Sequence, residues 1–465
     1  MNIKILCAIP ALLWSGIGFS ASLTLPSIFA DSMVLQQQTD FRIWGKASPN
    51  TKVKVSASFI KGYKSTIVAA DSVWSLTIPT PAASFMEHSI KISVKEEVKI
   101  FNHVLIGEVW LASGQSNMQF RVAAADGSLG AIANSNNPYI RFFSQKHVSS
   151  LTELYDCAGV WQQACEQTTG SFSAVAYFGA LQLYNCLNVP IGVIHSSWAG
   201  STIEAWINPE GVGKAAPELI IPQTDEENKP QNRKPCGLYR GMIHPISGYN
   251  IRGVWWYQGE SGRKTPDLYR RLFPQLCEQW RTEWHNEDLP FYTIEIAPYE
   301  YPDTIYNCGY LREVQLEMSK QLSNVWLIPM SDLGDSINLH PTKKREVGER
   351  LAYFTLNDTY EYSGLDTDVP TYQDMTVAGD SCFIKFSQSI NRIAMLRQPV
   401  TGFEVAGEDK VFYPATAVTT KTSLVVQSDN VKHPVAVRYC FKDYAVPSLF
   451  CINGMPVYPF RTDKW

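Results

Sequence analysis

The sequence has no large surplus of charge of either sign. Its 40 Lys and Arg residues are nearly balanced by 44 Asp and Glu residues, which gives a formal net charge of −4. A protein that binds nucleic acid mainly through electrostatics needs a basic face, so we expect no nucleic-acid partner. The sequence also has no repeat and no low-complexity tract. With 45% hydrophobic and 18% charged residues it is typical of a globular protein rather than a disordered one.

Long apolar runs are also missing, apart from one at the N-terminus. There Lys4 precedes an apolar stretch over residues 5–19, and small residues follow near position 20. This pattern predicts a secretory signal over residues 1–20 that is cleaved in a secreted or periplasmic protein. The stretch contains Pro10 and is shorter than the about 20 residues that a spanning helix needs, so we expect no membrane span.

The ten cysteines do not form a metal-binding pattern. The sequence contains no CxxC, and no Cys and His residues have the spacing of a zinc site. We therefore expect no metal site. Removal of Cys7 with the signal would leave nine cysteines, some of which could pair in an oxidising compartment. Their pairing stays open.

Two kinds of hydrophobic pattern divide the rest of the chain. Over residues 21–104 and again over 361–465, short alternating apolar segments separated by turns predict β-sandwich-like modules. Over residues 105–360, strand-like segments alternate with helix-like segments. This order predicts an α/β domain with a mostly parallel sheet that is covered on both faces.

Several elements of the α/β domain have clear patterns. The predicted strands are residues 103–111, 189–197, 251–257, 289–296 and 325–329, and the predicted helices are residues 174–187, capped near Ser173, and 344–354. The basic run Lys343-Lys344-Arg345 is expected to form a solvated helix face.

Four polar clusters follow the ends of predicted parallel strands, at residues 113–118, 198–202, 257–261 and 332–341. Each cluster alone is a weak signal, because a serine beside a glycine is usually part of a turn. Ligands of open α/β sheets bind outside the carboxyl ends of the strands, however, and all four clusters would lie at that edge. Together they predict an active site.

The residue types in these clusters suit acyl transfer. Ser116 would be the nucleophile, and His340 would take its proton and later protonate the leaving alcohol. The backbone N–H groups of Ser116 and Gly200 and the side chain of Gln258 would stabilise the oxyanion. A carboxylate near His340 would orient its ring.

The same clusters resemble those of a known family. GEVWLASGQSNMQF at 107–120, IRGVWWYQGES at 251–261 and HPTKKREVGERLA at 340–352 are similar to segments of the sialate O-acetylesterase family, a branch of the SGNH hydrolases. The resemblance covers essentially the whole chain after the predicted signal. It implies a flavodoxin-like catalytic domain and no cofactor. It further implies Ser116 as nucleophile, His340 as base, and Ser116, Gly200 and Gln258 as the oxyanion hole.

The chain departs from the family pattern at three places, one of them Gly262, where an Asn commonly follows YQGES. Ala199 replaces the first glycine of the second cluster, so Gly200 is the expected oxyanion donor. Related hydrolases often have an Asp two or three residues before the histidine, where this chain has Asn338. The group that orients His340 therefore stays open: Asp335 is favoured over Asp332, Asn338 could act as an amide, and a Ser–His dyad would need no third residue.

Arginines next to two motifs could bind the substrate. A sialic acid has a carboxylate, which a guanidinium binds through two hydrogen bonds. Arg240 and Arg263 are the candidates, with surface salt bridges as the alternative. Glu260, in the third cluster, is a further substrate-binding candidate, although a buried hydrogen-bond partner is the expected role. His195, His244 and most of Trp198, Trp206, Trp255 and Trp256 are expected to be structural.

The sequence thus predicts a secreted or periplasmic serine carbohydrate esterase that removes O-acetyl groups from sialic acids. The first alternative is an acetylesterase acting on another polysaccharide such as xylan, because only the sugar pocket would differ. The second is a carbohydrate-binding protein with a decayed esterase domain, suggested by Ala199 and Asn338. The presence of Ser116, Gln258 and His340 argues against decay.

Overall fold

The computed structural model describes residues 22–224, 230–303, 305–395, 400–420 and 422–465. The predicted signal at residues 1–20 lies outside these ranges. Within them, no helix is both long enough and apolar enough to cross a membrane. All nine cysteines after Cys7 are unpaired in the described structure.

The N-terminal part of the chain is built from short strands with alternating burial. In the third of these, Val53, Val55 and Ala57 are buried while the residues between them face outward, which is the period of a half-buried strand. The first six strands are β1 (Val34–Gln36), β2 (Asp40–Lys46), β3 (Lys52–Ala57), β4 (Lys64–Ile67), β5 (Val73–Pro79) and β6 (Ser84–Val94). Strand β2 pairs with β5, and β3 pairs with β4 and β6.

One long strand, β7 (Glu97–Gly114), connects this region to the α/β domain. Its first half pairs antiparallel with β6, and its second half lies in the parallel part of the sheet. Every residue from 104 to 114 is buried. The predicted division near residue 104 therefore lies inside a single continuous strand.

The remaining strands of this sheet are β8 (Asn137–Gln145), β9 (Gly159–Ala164), β10 (Ile191–Ser197), β11 (Gly253–Tyr257), β12 (Phe291–Ile294) and β13 (Val325–Ile328). Their order is β13-β12-β11-β7-β10-β8-β9. All neighbours in this row are parallel except β9, which is antiparallel to β8. The mixed α/β class that the sequence predicts is confirmed.

Seven α-helices accompany the sheet within the described ranges: α1 (Ser116–Gln119), α2 (Ser128–Ala133), α3 (Ala174–Leu187), α4 (Pro209–Ala215), α5 (Pro266–Glu283), α6 (Cys308–Gln321) and α7 (Lys344–Tyr360). Alternate residues of β7 face two different cores. Val109 and Leu111 pack in the core that contains α5 and α6. Trp110 and Ala112 pack in the core that contains α3 and α7. Both faces of the sheet are therefore covered.

Helix α3 has the bounds that the sequence predicts. The Ser173 side chain accepts a hydrogen bond from the Ala176 N–H and so caps the helix. Asn188 ends it in the left-handed conformation, with φ of 53°. Both ends are thus determined by local sequence signals.

The C-terminal part forms a separate antiparallel sheet in the order β14-β15-β19-β18-β17-β20-β22, with β16 paired to β21. Its side chains form their own hydrophobic core. The strands are β14 (Tyr372–Ala378), β15 (Ser381–Phe386), β16 (Ile393–Met395), β17 (Phe403–Ala406), β18 (Phe412–Thr419), β19 (Leu424–Gln427), β20 (Ala436–Tyr439), β21 (Leu449–Cys451) and β22 (Phe460–Arg461).

Candidate active site

Ser116 lies at the carboxyl edge of the central sheet, where β7 ends and α1 begins. The chain before it is tied to both neighbouring strands: the Gln115 N–H donates to the Tyr257 carbonyl at 3.0 Å, and the Trp198 N–H donates to the Gly114 carbonyl at 3.0 Å. A Cβ on Gly114 would lie 2.1 Å from the Tyr257 carbonyl oxygen, so this approach requires glycine. The first three polar clusters therefore meet at one point.

The reactive groups of Ser116 are not engaged by the protein. Its side chain is half-buried. Among the described residues, neither its hydroxyl nor its backbone N–H has a hydrogen-bond partner. Both groups are therefore free to contact a substrate.

The loop that contains Gly200 is fixed from two sides. On one side, the Ala199 N–H donates to the Gln119 side chain of α1 at 2.7 Å. On the other, Asn232 donates to the Ala199 carbonyl at 2.5 Å and Arg233 to the Gly200 carbonyl at 2.9 Å. Gly200 has a φ of +70°, a conformation that favours glycine. Ala199 does not have a positive φ. The Gly200 N–H has no partner in the described part of the chain.

Gln258 is fully buried and joins three of the clusters. Its side-chain amide donates to the Gln115 side chain at 3.1 Å and to the Ser201 carbonyl at 3.2 Å. The same Gln115 oxygen accepts the N–H groups of Gly259 and Ser261. Both N–H groups of Gln258 are therefore in use, and a role in an oxyanion hole requires one of them to change partner.

His340 is presented by two consecutive turns in the loop after β13. The Asp335 carboxylate accepts the N–H of Ile337 at 2.9 Å and that of Asn338 at 3.1 Å. The Asn338 side chain then accepts the His340 N–H at 2.9 Å. Asp335 and Asn338 thus shape the backbone that leads to His340.

None of the three candidate orienting groups contacts the His340 ring. Asp332 instead binds Arg350 through two hydrogen bonds of 2.9 Å. The nearest ring contact is with Phe120, at 6.5 Å between centroids. Within the described residues the His340 ring has no hydrogen-bond partner, and catalytic hydrogen bonds often form only when substrate binds. The role of Asp335 as orienting acid stays a prediction.

The prediction of a solvated basic run was wrong for Lys344. Lys343 is exposed, but Lys344 has no exposed surface. The guanidinium of Arg345 lies 4.3 Å from the centre of the Phe178 ring. A run of like charges does not show which side of the following helix faces the sheet. The one sequence signal for Lys344 is its position four residues after His340.

Lys344 belongs to a buried network that the sequence did not predict. Its ammonium donates to the Asn117 side-chain oxygen at 2.6 Å. The Asn117 side-chain nitrogen donates to Glu260 at 2.5 Å and to the Leu339 carbonyl at 3.4 Å. Glu260 is buried with Asn117, which is the hydrogen-bonding role expected for it.

Burial shifts the pKa of each ionisable group here toward the neutral form. It raises the pKa of Glu260, against the effect of hydrogen bonds and nearby cations. It lowers the pKa of Lys344 to about 7, and the charge of Glu260 opposes that change. Burial and, secondarily, the positive charge of Lys344 lower the pKa of His340. At neutral pH the imidazole is therefore in the form that can accept a proton.

The two candidate arginines have different surroundings. Arg263 is buried, forms an ion pair with Asp303 and lies 3.9 Å from the centre of the Tyr301 ring. Arg240 is half-buried and, in the described ranges, its guanidinium has no ion pair and no hydrogen bond. Only Arg240 is thus free to bind an anionic group.

An aromatic pair beside the Gly200 loop was missed in part. The rings of His147 and Trp198 are stacked, with centroids 4.5 Å apart and planes at 11°. His147 is exposed, and its Nε2–H donates to the Ser197 carbonyl at 3.0 Å. No motif surrounds His147, so its position beside Trp198 could not be predicted from the sequence.

The other histidines and tryptophans proposed as structural are bonded or buried within the fold. His195 lies 2.7 Å from the Ser197 hydroxyl, and burial lowers its pKa to about 4. His244 lies 3.0 Å from the Leu154 carbonyl. Fully buried in the cores are Trp206, Trp255 and Trp256. No group of three or more His, Cys, Asp or Glu side chains among the described residues could hold a metal ion.

Comparison with known proteins points to one family. Residues 106–357 match the family model described as carbohydrate esterase, sialic acid-specific acetylesterase. Human sialate O-acetylesterase is 31% identical over 304 residues, which cover 60% of this chain and 56% of the human protein. The mouse protein is 28% identical over 403 residues, covering 72% of this chain and 73% of that one. The match thus spans little more than half of the human protein.

A solved structure is similar over nearly the whole chain. A carbohydrate acetylesterase from Xanthomonas citri superposes with a TM-score of 0.87 at 32% sequence identity. The superposition covers 96% of this chain and 100% of the other. The residues matched by the family model include Ser116, Gly200, Gln258 and His340.

The role of Asp335 can be tested by comparing two substitutions. Asp335→Asn keeps an oxygen that can accept the two backbone N–H groups, so we expect kcat/KM on a small acetyl ester to stay within about tenfold of the wild type. Asp335→Ala removes the turn and should lose more. If the carboxylate charge orients His340, Asp335→Asn will instead lose about 10⁴-fold.

Proposed function

The chain belongs to the sialic acid-specific acetylesterase family of carbohydrate esterases, and from this premise we propose that it is a serine esterase that removes O-acetyl groups from sialic acids. The main support is the position of Ser116 at the sheet edge, where its hydroxyl and N–H have no hydrogen-bond partner in the described part of the chain. The loop of His340 reaches the same edge, where Leu339 is bonded to Asn117, the residue after Ser116.

In the proposed reaction the Ser116 hydroxyl attacks the acetyl carbonyl while His340 takes its proton. The N–H groups of Ser116 and Gly200 stabilise the oxyanion. Collapse of this intermediate breaks the ester bond, and the proton on His340 passes to the leaving sugar hydroxyl. Water then attacks the acetyl-enzyme with His340 as base, which releases acetate and restores Ser116.

Gln258 enters this scheme as a third donor only if substrate displaces one of its present acceptors. Its bonds to Gln115 and Ser201 hold the first and second clusters against the third. Asp335 is proposed to orient His340 through the backbone of the loop, which is supported by its two turn-forming hydrogen bonds.

For the catalytic domain we propose the flavodoxin-like arrangement of SGNH hydrolases. Numbered by their order along the chain, β7, β10, β11, β12 and β13 lie side by side in the order 2-1-3-4-5, which is the flavodoxin-like order. Strands β8 and β9 extend this sheet beyond β10. The proposed site then lies at the switch point beside β7, where such sheets bind ligands.

Arg240 is proposed to bind the carboxylate of the sialic acid. Among the residues that the structure describes, its guanidinium has no partner, and its backbone carbonyl accepts the Leu154 N–H. Residues 147–154 therefore connect Arg240 to His147, whose ring stacks on Trp198. This aromatic pair offers an apolar face for the sugar ring, whereas Arg263 already has Asp303 as its counter-ion.

A panel of acetylated substrates tests the proposed activity. We expect acetate release from O-acetylated sialic acid, and Ser116→Ala should reduce it by at least about 10³-fold because the nucleophile is lost. Ser323→Ala is the control, since this exposed serine precedes β13 at the opposite edge of the sheet. Full activity of Ser116→Ala would contradict the proposal. Release from acetylxylan alone would favour the polysaccharide alternative.

Substitution of the two arginines tests substrate recognition. Arg240→Ala should raise KM for O-acetylated sialic acid about 10- to 100-fold, because a charge-assisted contact is lost. The effect on para-nitrophenyl acetate, which has no carboxylate, should be smaller. Arg263→Ala should instead lower the thermal midpoint, because Asp303 loses its buried partner and, among the described residues, keeps only the ion pair with Lys264 at 3.5 Å. Equal KM changes on both substrates for Arg240→Ala would exclude the carboxylate role.

Export is proposed from the pattern of residues 1–20. Cell fractionation should find the protein outside the cytoplasm, and mass spectrometry of that fraction should find a mature N-terminus near residue 21. Recovery of the protein only in the cytoplasm with residues 1–20 intact would refute this.

A further inference from the structure

Asn117 connects the two halves of the proposed catalytic pair. It follows Ser116 directly, and its side chain bonds to Leu339, which precedes His340, and to Lys344, the first residue of α7. These partners are 222 and 227 residues away in the sequence. Asn117 is fully buried, and both N–H groups and the oxygen of its amide are accounted for by these bonds and the bond to Glu260.

Packing alone does not explain the charge of Lys344. Its ammonium lies 5.1 Å from the centre of the Phe120 ring and 5.5 Å from that of Tyr257. An aliphatic side chain of similar length would fill this space without the cost of removing an ammonium from water. The ammonium does have partners, because Asn117 bridges it to the buried carboxylate of Glu260.

We propose that Asn117 and Lys344 are positioning residues that fix the segment bearing Ser116 to the segment bearing His340. This inference rests on the proposed function. The amide of Asn117 joins the residue after the nucleophile to Leu339, the residue before the base. The Lys344 ammonium holds the oxygen of that amide.

The charged groups around this network come from several elements. Glu260 follows β11 and faces Lys344 through Asn117, and Arg312 of α6 acts on Glu260 from another side. Burial is the main cause of the lowered pKa of His340, and the positive charge of Lys344 adds to it. Removing this charge should therefore raise the pKa of His340.

Four variants, assayed with para-nitrophenyl acetate, separate positioning from charge. Asn117→Leu and Lys344→Met remove the hydrogen bonds, and we expect kcat to fall about 100-fold with little change in KM, because a displacement of about 1 Å has that effect. Lys344→Gln keeps an N–H donor for Asn117 and should recover part of the kcat that Lys344→Met loses. Lys343→Met changes the exposed neighbouring lysine and should behave as the wild type.

The pH dependence of kcat/KM gives the second readout. In the wild type, activity should be lost as pH falls through the pKa of His340, which burial lowers from its ordinary value. In Lys344→Met and Lys344→Gln this acid limb should move to higher pH, because the positive neighbour is gone. Asn117→Leu keeps the ammonium and should move the limb less. A purely structural role for Lys344 would not shift it.

Thermal unfolding and circular dichroism show whether each variant is folded. If Asn117→Leu does not fold, the comparison of Lys344→Gln with Lys344→Met tests the inference in its place. If Lys344→Met has the same kcat and the same acid limb as Lys343→Met, the inference is overturned while the proposed function stands. A wild-type protein without Ser116-dependent ester hydrolysis would overturn the proposed function and the inference with it.

Discussion

Strand β7 pairs with β1, β6, β10 and β11, and the arrangement of the site depends on these pairings. The strand is buried on both faces from Val104 onward, so it cannot shift without exposing one of two hydrophobic cores. Its register with β10 and β11 places the carboxyl ends of the three strands at the same level. Gly114 then allows the chain to pass against Tyr257, which leaves Ser116 at the centre of the edge.

Two fully buried arginines attach the outer regions to the central domain. Arg141 of β8 donates to the carbonyl groups of Ser32 and His103 in the N-terminal region. Arg312 of α6 donates to the carbonyl groups of Lys442 and Asp443 in the C-terminal region, at 2.7 and 2.9 Å. In both cases a guanidinium satisfies several backbone carbonyl groups that would otherwise lose their hydrogen bonds on burial. The outer regions are therefore attached by polar contacts as well as by apolar packing.

The sequence predicts features that depend on local patterns. It does not predict features that depend on contacts between residues far apart in the chain. The bounds of α3 follow from the capping residue Ser173 and the helical period, and the polar clusters follow from strand ends. The continuation of β7 past residue 104 is not predictable in this way, because a strand buried on both faces has no alternation that would mark its length. Burial of Lys344 depends on Asn117 and Glu260, which no local pattern relates to it. The spatial relation of Asp335 to the His340 ring is likewise a property of the folded loop.

Strand β7 belongs to both the N-terminal region and the α/β domain, so a shortened chain would lose part of its pairing. A chain shortened to the α/β domain would keep the second half of β7 but lose β1 and β6, which pair with it on the N-terminal side. The unpaired N–H and C=O groups of Val104, Leu105 and Ile106 would then face water beside apolar side chains. Such an exposed, apolar strand is a template for pairing between molecules and hence for aggregation. The N-terminal strands thus cover a part of β7 that would otherwise offer its backbone groups to another molecule.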